Sequence, residues 1–358
     1  MENEKMLEMI RELSDANGAS GFEDDVLGVL RKYGEGLGDF DEDSLRNLYL
    51  DRSGNRKGLP TIQLDAHTDE VSFMVQAIKP NGTLRFIQLG GWVANNIPAH
   101  RVRVRNADGD YIPGVISSKP PHFMTAAERN APADIADMVI DIGASSAEEA
   151  VRDYHVRIGE PVVPDVKFEY VPRHDLMIGK AFDCRLGCAS IVATLSELSG
   201  RQLDVNVTAG FAVQEEVGTR GATVTSRHIK PDIAIVFEGC PADDTFSEPY
   251  MIQTAIKHGP MLRHIDARMI TNPRFQRYAL DLAAKNGIPV QESVRTGGST
   301  NGAPIHLSNL SVPVIVIGLP VRYIHSHYGI ASFGDCLNAV SLASTVIKSL
   351  NADIIKGF

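Results

Sequence analysis

The chain has 358 residues, 43% of them hydrophobic and 22% charged, with a net charge of −10; this is an ordinary globular composition, too long for one core of usual size. The acidic balance excludes a broad electrostatic grip on nucleic acid or on an anionic membrane. The longest apolar run, residues 312–321, is about half of the roughly 20 residues a spanning helix requires.

The first residues lead into an amphipathic pattern with no apolar signal core, so a cytoplasmic location is expected. Four irregularly spaced cysteines, Cys184, Cys188, Cys240 and Cys336, fit a reducing compartment better than a disulfide framework. Cys184 and Cys188 are spaced to share a helix face, but the further soft ligands a zinc knuckle needs are missing nearby.

The opening reads as two helices. Ser20 and Glu23 have capping-box spacing, and Phe22, Val26, Leu27, Leu30 and Tyr33 follow with helical periodicity. Strands are expected over 47–52 and 61–66, the second running into the polar cluster His67, Thr68, Asp69 and Glu70. Functional side chains gather where a buried strand gives way to a loop.

From 71 to 165 the texture changes. Strands over 71–78, 83–89 and 101–105 are divided by Pro-Asn-Gly, Gly-Gly and Ala-Asp-Gly turn signals, and a short helix starts at Ser145 or Ser146. This is the pattern of a small β-rich domain inserted into a larger one. Alternating α/β character then resumes, with helices over 185–198, 272–286 and 334–350. Strands are expected over 204–214, 232–237 and 312–317.

Five strand ends or strand-to-helix corners finish in a residue able to bind metal: His67, Asp183, Glu215-Glu216, Glu238 and His325. Parallel α/β sheets place ligand sites at the carboxyl ends of their strands, so these corners can converge. Taken alone, Glu215-Glu216 reads as a solvated pair and His67 as a structural histidine. Glu238 follows the apolar run 233–237, where an unpaired carboxylate is costly. Imidazoles and carboxylates without thiolate suit zinc, cobalt or manganese.

Eight blocks in one order carry a family resemblance. They are Asp-Ala-His-Thr-Asp-Glu at 65–70, Gly-Gly-Trp at 90–92, Gly-Val-Ile-Ser-Ser-Lys-Pro-Pro-His at 114–122 and Asp-Ile-Gly-Ala at 141–144. Downstream stand Gly-Lys-Ala-Phe-Asp-Cys-Arg-Leu-Gly at 179–187, Gln-Glu-Glu-Val-Gly at 214–218, Gly-Gly at 297–298 and Arg-Tyr-Ile-His-Ser at 322–326. Over nearly its whole length the chain resembles the M42 family of co-catalytic metallo-aminopeptidases, relatives of the tetrahedral TET peptidases.

The resemblance implies a three-layer α/β/α zinc-peptidase-type catalytic domain over 1–70 and 166–358, with a β-rich dimerisation domain over 71–165. It implies two divalent metal ions per subunit, zinc or cobalt, with manganese the alternative. His67 and Glu238 would hold one, Glu216 and His325 the other, and Asp183 would bridge. Glu215 would be the general base for a metal-bridging water, and Asp69 would orient His67. Peptides would be the substrates, and the partners further copies of the chain, dimers building to a dodecamer.

The sequence departs from the family pattern at Cys184, where Asp or Asn is usual, and at Glu238, where many members have Asp. A third departure is the 298–302 segment, Gly-Ser-Thr-Asn-Gly, a loop expected to shape the substrate pocket. His122 is expected to meet a neighbouring subunit or nothing. His100 and His306 read as structural, and His327 as a bystander where most relatives have proline. Two rivals remain: a glycoside hydrolase built on paired carboxylates, and a metal-binding scaffold without activity. One Trp and 6% aromatics offer the first little sugar-stacking surface, and an intact Glu215 argues against the second.

Overall fold

The computed structural model describes residues 1–117 and 119–358; Ser118, part of the 114–122 block, lies outside the described residues. Apolar runs bounded by turn residues build an eight-stranded sheet. Its order is Gly38–Glu42, Leu48–Arg52, Asn206–Ala212, Thr61–His67, Ile233–Pro241, Val314–Val321, Met261–Ile265, Gln291–Val294. The four central strands, Asn206–Ala212 to Val314–Val321, run parallel. Val314–Val321 is buried along its whole length, as a strand covered on both faces must be. Because the four are parallel, their carboxyl ends share one edge of the sheet.

Helices cover both faces, giving the expected α/β layering. On one side lie Phe182–Glu197, Phe333–Ser349 and Pro273–Asn286, with Asn3–Asp15 and Asp24–Gly34 completing the core. On the other side, Ala222 of Arg220–Ile229 and Ile305 of Gly302–His306 pack against Ala234, Val236 and Val314. Pro273–Asn286 illustrates legible punctuation. Asn272 caps it by accepting from the Arg274 and Phe275 amides at 3.1 and 3.0 Å, and Gly287 ends it in the left-handed region at φ 65°.

Between Ser72 and Pro164 six strands close into a barrel with its own core, including Phe73, Val75, Val102, Ile140 and Val162. Closure removes open strand edges. Two barrel strands that the sequence did not announce, Tyr111–Ser117 and Pro161–Pro164, carry prolines, which weaken a strand signature. The short helix appears as expected: Ala147–Arg152, with the Ser146 hydroxyl accepting from the Glu149 amide at 3.2 Å.

Three expectations need correction. The capping box at Ser20 does not form. Helix Asp24–Gly34 starts after Glu23 with no side-chain cap, because the Ser20 hydroxyl donates to buried Asp69 at 2.6 Å. The strand expected to stop at Phe237 continues to Pro241, held by pairing with Val314–Val321 through Val321. Glu238 therefore projects from within a strand. The strand expected to reach Gln214 ends at Ala212, and the chain turns with Gln214 left-handed at φ 55°. Among the described residues no helix is long and apolar enough to cross a membrane.

A buried ionic lashing ties the first helix to the loop after His67. The Lys180 ammonium donates to Glu70 Oε1 and Oε2 at 2.5 and 2.7 Å and to the Ala16 carbonyl at 2.8 Å. Arg185, fully buried, donates to the carbonyls of Thr68 and Leu13, both at 2.7 Å. Burial pulls the Lys180 ammonium down to about 7, against the pull of Glu70. Removing one partner strands a buried charge, so Glu70→Ala is expected to cost about 3–5 kcal/mol of stability. Urea unfolding of the variant measures it; a change within experimental error contradicts the lashing.

Candidate metal centre

The edge where the four parallel strands end collects every ligand candidate. His67 is the last residue of Thr61–His67, and Glu216 lies in the turn after Asn206–Ala212. Glu238 lies on Ile233–Pro241, and His325 in the loop after Val314–Val321, left-handed at φ 57°. Asp183 comes from a different element, the non-helical first turn of Phe182–Glu197. Two overlapping groups result. One comprises His67, Asp183, Cys184 and Glu238, the other Asp183, Glu216 and His325; within each, the ligand atoms lie within 4.8 Å of one another.

Asp183 joins them through separate oxygens. Its Oδ1 is 3.1 Å from His67 Nε2, and its Oδ2 is 3.4 Å from His325 Nε2. Glu238 Oε1 lies 3.2 Å from His67 Nε2, and Glu216 Oε2 3.6 Å from His325 Nε2. The other oxygens, Glu216 Oε1 and Glu238 Oε2, are buried with no hydrogen-bond partner among the described residues. Buried carboxylate oxygens without donors are what a cation would satisfy, so the residues present fit a metal.

The pKa pattern points the same way. Burial, reinforced by the nearby carboxylates and opposed by His67, pushes Glu215 up to about 8. Burial and Asp183, opposed by His325, bring Glu216 to about 8 as well. Burial also raises Glu238 well above the usual carboxylate range, with Asp183 adding to it. Burial works against charge on His325, but Asp183 and Glu216 outweigh it and lift the imidazole to about 9. Asp183 itself is held far below its usual value: burial raises it, and the two imidazoles overcome that. Without a cation, protons hold this cluster of negative groups together.

Asp69 organises the ground behind His67. Its backbone carbonyl is 3.1 Å and its Oδ1 3.4 Å from His67 Nδ1. The carboxylate also accepts from the Glu215 amide at 2.9 Å and the Glu216 amide at 3.1 Å. One carboxylate thus fixes an imidazole and the turn carrying both glutamates. Sequence reasoning missed two groups behind it. The Ser20 hydroxyl was assigned to a helix cap, and Glu23, raised to about 8 chiefly by burial and then by Asp69, receives the Gln214 amide at 3.1 Å. Neither has a local signal, since both partners are far away in the chain.

The other flagged positions separate cleanly. Cys184 keeps a neutral thiol, raised by burial, that donates to the Phe237 carbonyl at 3.2 Å. A side chain at Gly91 would stand 3.1 Å from His325 Nδ1, and one at Gly90 2.9 Å from Glu216 Oε2, which explains the Gly-Gly block. His327 is stacked on His100 at 3.9 Å beside Trp92. His306 Nδ1 meets the Gly302 carbonyl at 3.1 Å, and His122 is exposed. Asn301, in the loop expected to line the pocket, donates to Asp65 Oδ1 at 2.7 Å, beneath the strand that ends in His67.

Comparison with known proteins adds an independent line. The sequence profile described as M42 glutamyl aminopeptidase matches residues 47–342. The chain is 33% identical to the glutamyl aminopeptidase of Lactococcus lactis subsp. cremoris, over 98% of each chain. It is 27% identical to the lysyl aminopeptidase of Pyrococcus furiosus, over 96% of this chain and 97% of that one. The solved structure of a TET aminopeptidase from the marine sediment archaeon Thaumarchaeota archaeon SCGC AB-539-E09 superposes with a TM-score of 0.94. It is 36% identical and covers 99% of each chain.

A divalent cation entering this cluster must displace the protons on the candidate ligands Glu216 and His325. Its apparent affinity is therefore expected to rise with pH up to about 8 to 9. Calorimetric titration with zinc in buffers of different ionisation enthalpy should show net proton release at pH 7 and weaker binding at pH 6. Heats independent of buffer would contradict the arrangement.

Proposed function

Because the chain belongs to the M42 glutamyl aminopeptidase family, and is thus a metal-dependent hydrolase that removes N-terminal residues from peptides, we propose how its own side chains divide that work. His67 and Glu238 would hold one divalent cation and Glu216 and His325 a second, with Asp183 offering an oxygen to each. The observation that carries this reading is that the two Asp183 oxygens face different imidazoles, 3.1 and 3.4 Å away. Zinc and cobalt suit these nitrogen and oxygen donors, and manganese is the alternative.

When bound, the cations lower the pKa of a water and polarise the scissile carbonyl. Glu215 takes the proton from the attacking water and hands it to the departing amine. Its high proton affinity among crowded carboxylates suits both halves of that transfer. Glu216 can ligate while Glu215 stays free because the chain has left the strand at Ala212 and turns at Gln214, so strand alternation no longer governs the pair. Asp69 is a positioning residue. It holds the His67 Nδ1 side, so that Nε2 faces Asp183 and Glu238.

The glycoside hydrolase reading leaves His67, His325 and Asp183 without work, and the scaffold reading leaves Glu215 without any. The test is an aminoacyl-p-nitroanilide assay on protein reconstituted with zinc, cobalt or manganese. EDTA should abolish activity, and Glu215→Gln should lower kcat by about 10²–10⁴ while metal content stays at the wild-type level. A Glu215→Gln protein as active as wild type would refute the base assignment, and metal-independent glycan cleavage would favour the rival.

We also propose that the barrel is a docking domain for further copies of the chain. Its apolar Phe123, Ile158 and Val151 are exposed, at 73%, 69% and 51%, the kind of surface an interface covers. Sedimentation equilibrium should return a mass well above the 38.9 kDa of one chain; a fully active monomer would defeat this.

A further inference from the structure

The linker between the first two helices reaches the turn that carries the proposed base. It runs beside the loop after His67, where the Glu70 amide donates to the Gly18 carbonyl at 2.9 Å and the Gly18 amide to Glu70 Oε1 at 3.1 Å. It then folds back, with the Phe22 amide on the Ala19 carbonyl at 2.8 Å and Gly21 at φ 89°, a conformation suited to glycine. This brings Glu23, 3% exposed, to the start of helix Asp24–Gly34. The Glu23 carbonyl receives the Leu27 amide at 3.1 Å, but its side chain makes no cap. Oε1 instead receives the Gly21 amide at 2.8 Å and, from 191 residues away, the Gln214 amide at 3.1 Å.

That second bond completes a series. Residues 213–216 have left strand Asn206–Ala212, so their amides need acceptors outside the sheet ladder. Each finds a side chain from a distant part of the chain. Val213 donates to Asn47 Oδ1 at 3.0 Å, Gln214 to Glu23, Glu215 to Asp69 Oδ1 at 2.9 Å and Glu216 to Asp69 Oδ2 at 3.1 Å. Of the four, Glu23 holds the residue in the left-handed region, Gln214 at φ 55°, which a glutamine seldom occupies unaided. The peptide between Val213 and Gln214 is clamped at both ends. Its carbonyl accepts from the Gly221 amide at 3.0 Å, and its N–H is the one Glu23 receives.

We propose that Glu23 is a positioning residue for the base Glu215. Its carboxyl holds the Gln214 amide, and with it the left-handed backbone that sets the direction in which Glu215 leaves the turn. Among the described residues its side-chain hydrogen bonds go to backbone amides alone, so it acts through Gln214 and not on the substrate. The proposal rests on the aminopeptidase reading above and adds the residue that keeps the base in place.

The experiment assays aminoacyl-p-nitroanilides with metal-loaded wild type, Glu23→Gln and Glu23→Met, each with and without Glu215→Gln. The two replacements are similar in length, but only Gln keeps an oxygen to receive the Gln214 amide. Burial, then Asp69, raises Glu23 to about 8, so it carries a proton at pH 7 and Gln is its close stand-in. Glu23→Met should lower kcat by a factor on the order of 10², the cost of a misplaced catalytic group, with KM and metal content unchanged. Glu23→Gln should stay close to wild type. In the Glu215→Gln background Glu23→Met should cost little more, because the residue it positions no longer works. Undiminished kcat in Glu23→Met, an equal loss in both backgrounds, or Gln as impaired as Met would overturn the proposal. If Glu23→Met does not fold, Glu23→Asp replaces it, keeping the acid on an arm one methylene shorter, and full activity there overturns it equally.

Amide hydrogen exchange reads the clamp without turnover. Residues 213–217 should exchange about tenfold faster in Glu23→Met than in Glu23→Gln, as expected for one lost buried hydrogen bond, while strand Ile233–Pro241 is unchanged. If the wild type cleaves no aminoacyl substrate, the functional reading fails, and this comparison still decides whether Glu23 holds the turn. Equal exchange in the two variants would reject it.

Discussion

Everything at the active edge follows from crowding negative charge where water is scarce. Asp183, Glu215, Glu216 and Glu238 stand together around two imidazoles, and burial drives three of the four carboxyls to hold protons. Such a group is costly to assemble without cations. The fold bears that cost through backbone it has already fixed. Four parallel strands end side by side, and the start of a fifth element, Phe182–Glu197, is packed across them. No single strand could bring both oxygens of one aspartate to two imidazoles; that takes a helix start aimed at the ends of the two strands that flank Ile233–Pro241.

The scaffold behind the ligands meets the same demand with hydrogen bonds in place of ions. Asp69 gathers the Ser20 hydroxyl and the Glu215 and Glu216 amides on one carboxylate. One residue further on, Glu70 anchors Lys180 and through it the carbonyl end of the first helix. Consecutive acids thus serve opposite tasks, one holding the site's geometry and one holding the N-terminal helix to it. At the other border, Gly90 and Gly91 let the chain leaving the barrel's second strand pass against Glu216 and His325 without a side chain in the way. Trp92 next to them stacks on Phe73 at 4.7 Å and borders His327, so barrel and sheet meet directly beside these candidate ligands.

The chemistry of this site was more legible in the sequence than its geometry. His67, Asp183, Glu215, Glu216, Glu238 and His325 announce themselves by residue type at the ends of apolar runs, and the structure brings them together. Where strands end was less legible, because pairing with a neighbour decides it: Glu238 lies inside a strand, held there by eight residues of register with Val314–Val321. Ser20 was misread for a related reason. A local rule offers its hydroxyl to a helix amide, and a buried carboxylate from another part of the chain takes it instead. The strand bearing Arg263 passed unnoticed, since Met-Leu-Arg-His-Ile has no clean alternation, although it is paired on both sides.

Arg263 illustrates how a structure separates residues that composition treats alike. Arg185, Arg263 and Arg295 lie within the same domain, yet only Arg185 and Arg295 find oxygen for their guanidinium groups. The fold could have satisfied Arg263 by moving Asp266 a few tenths of an ångström closer. Instead Asp266 spends one oxygen on the backbone of its own turn and leaves the other short.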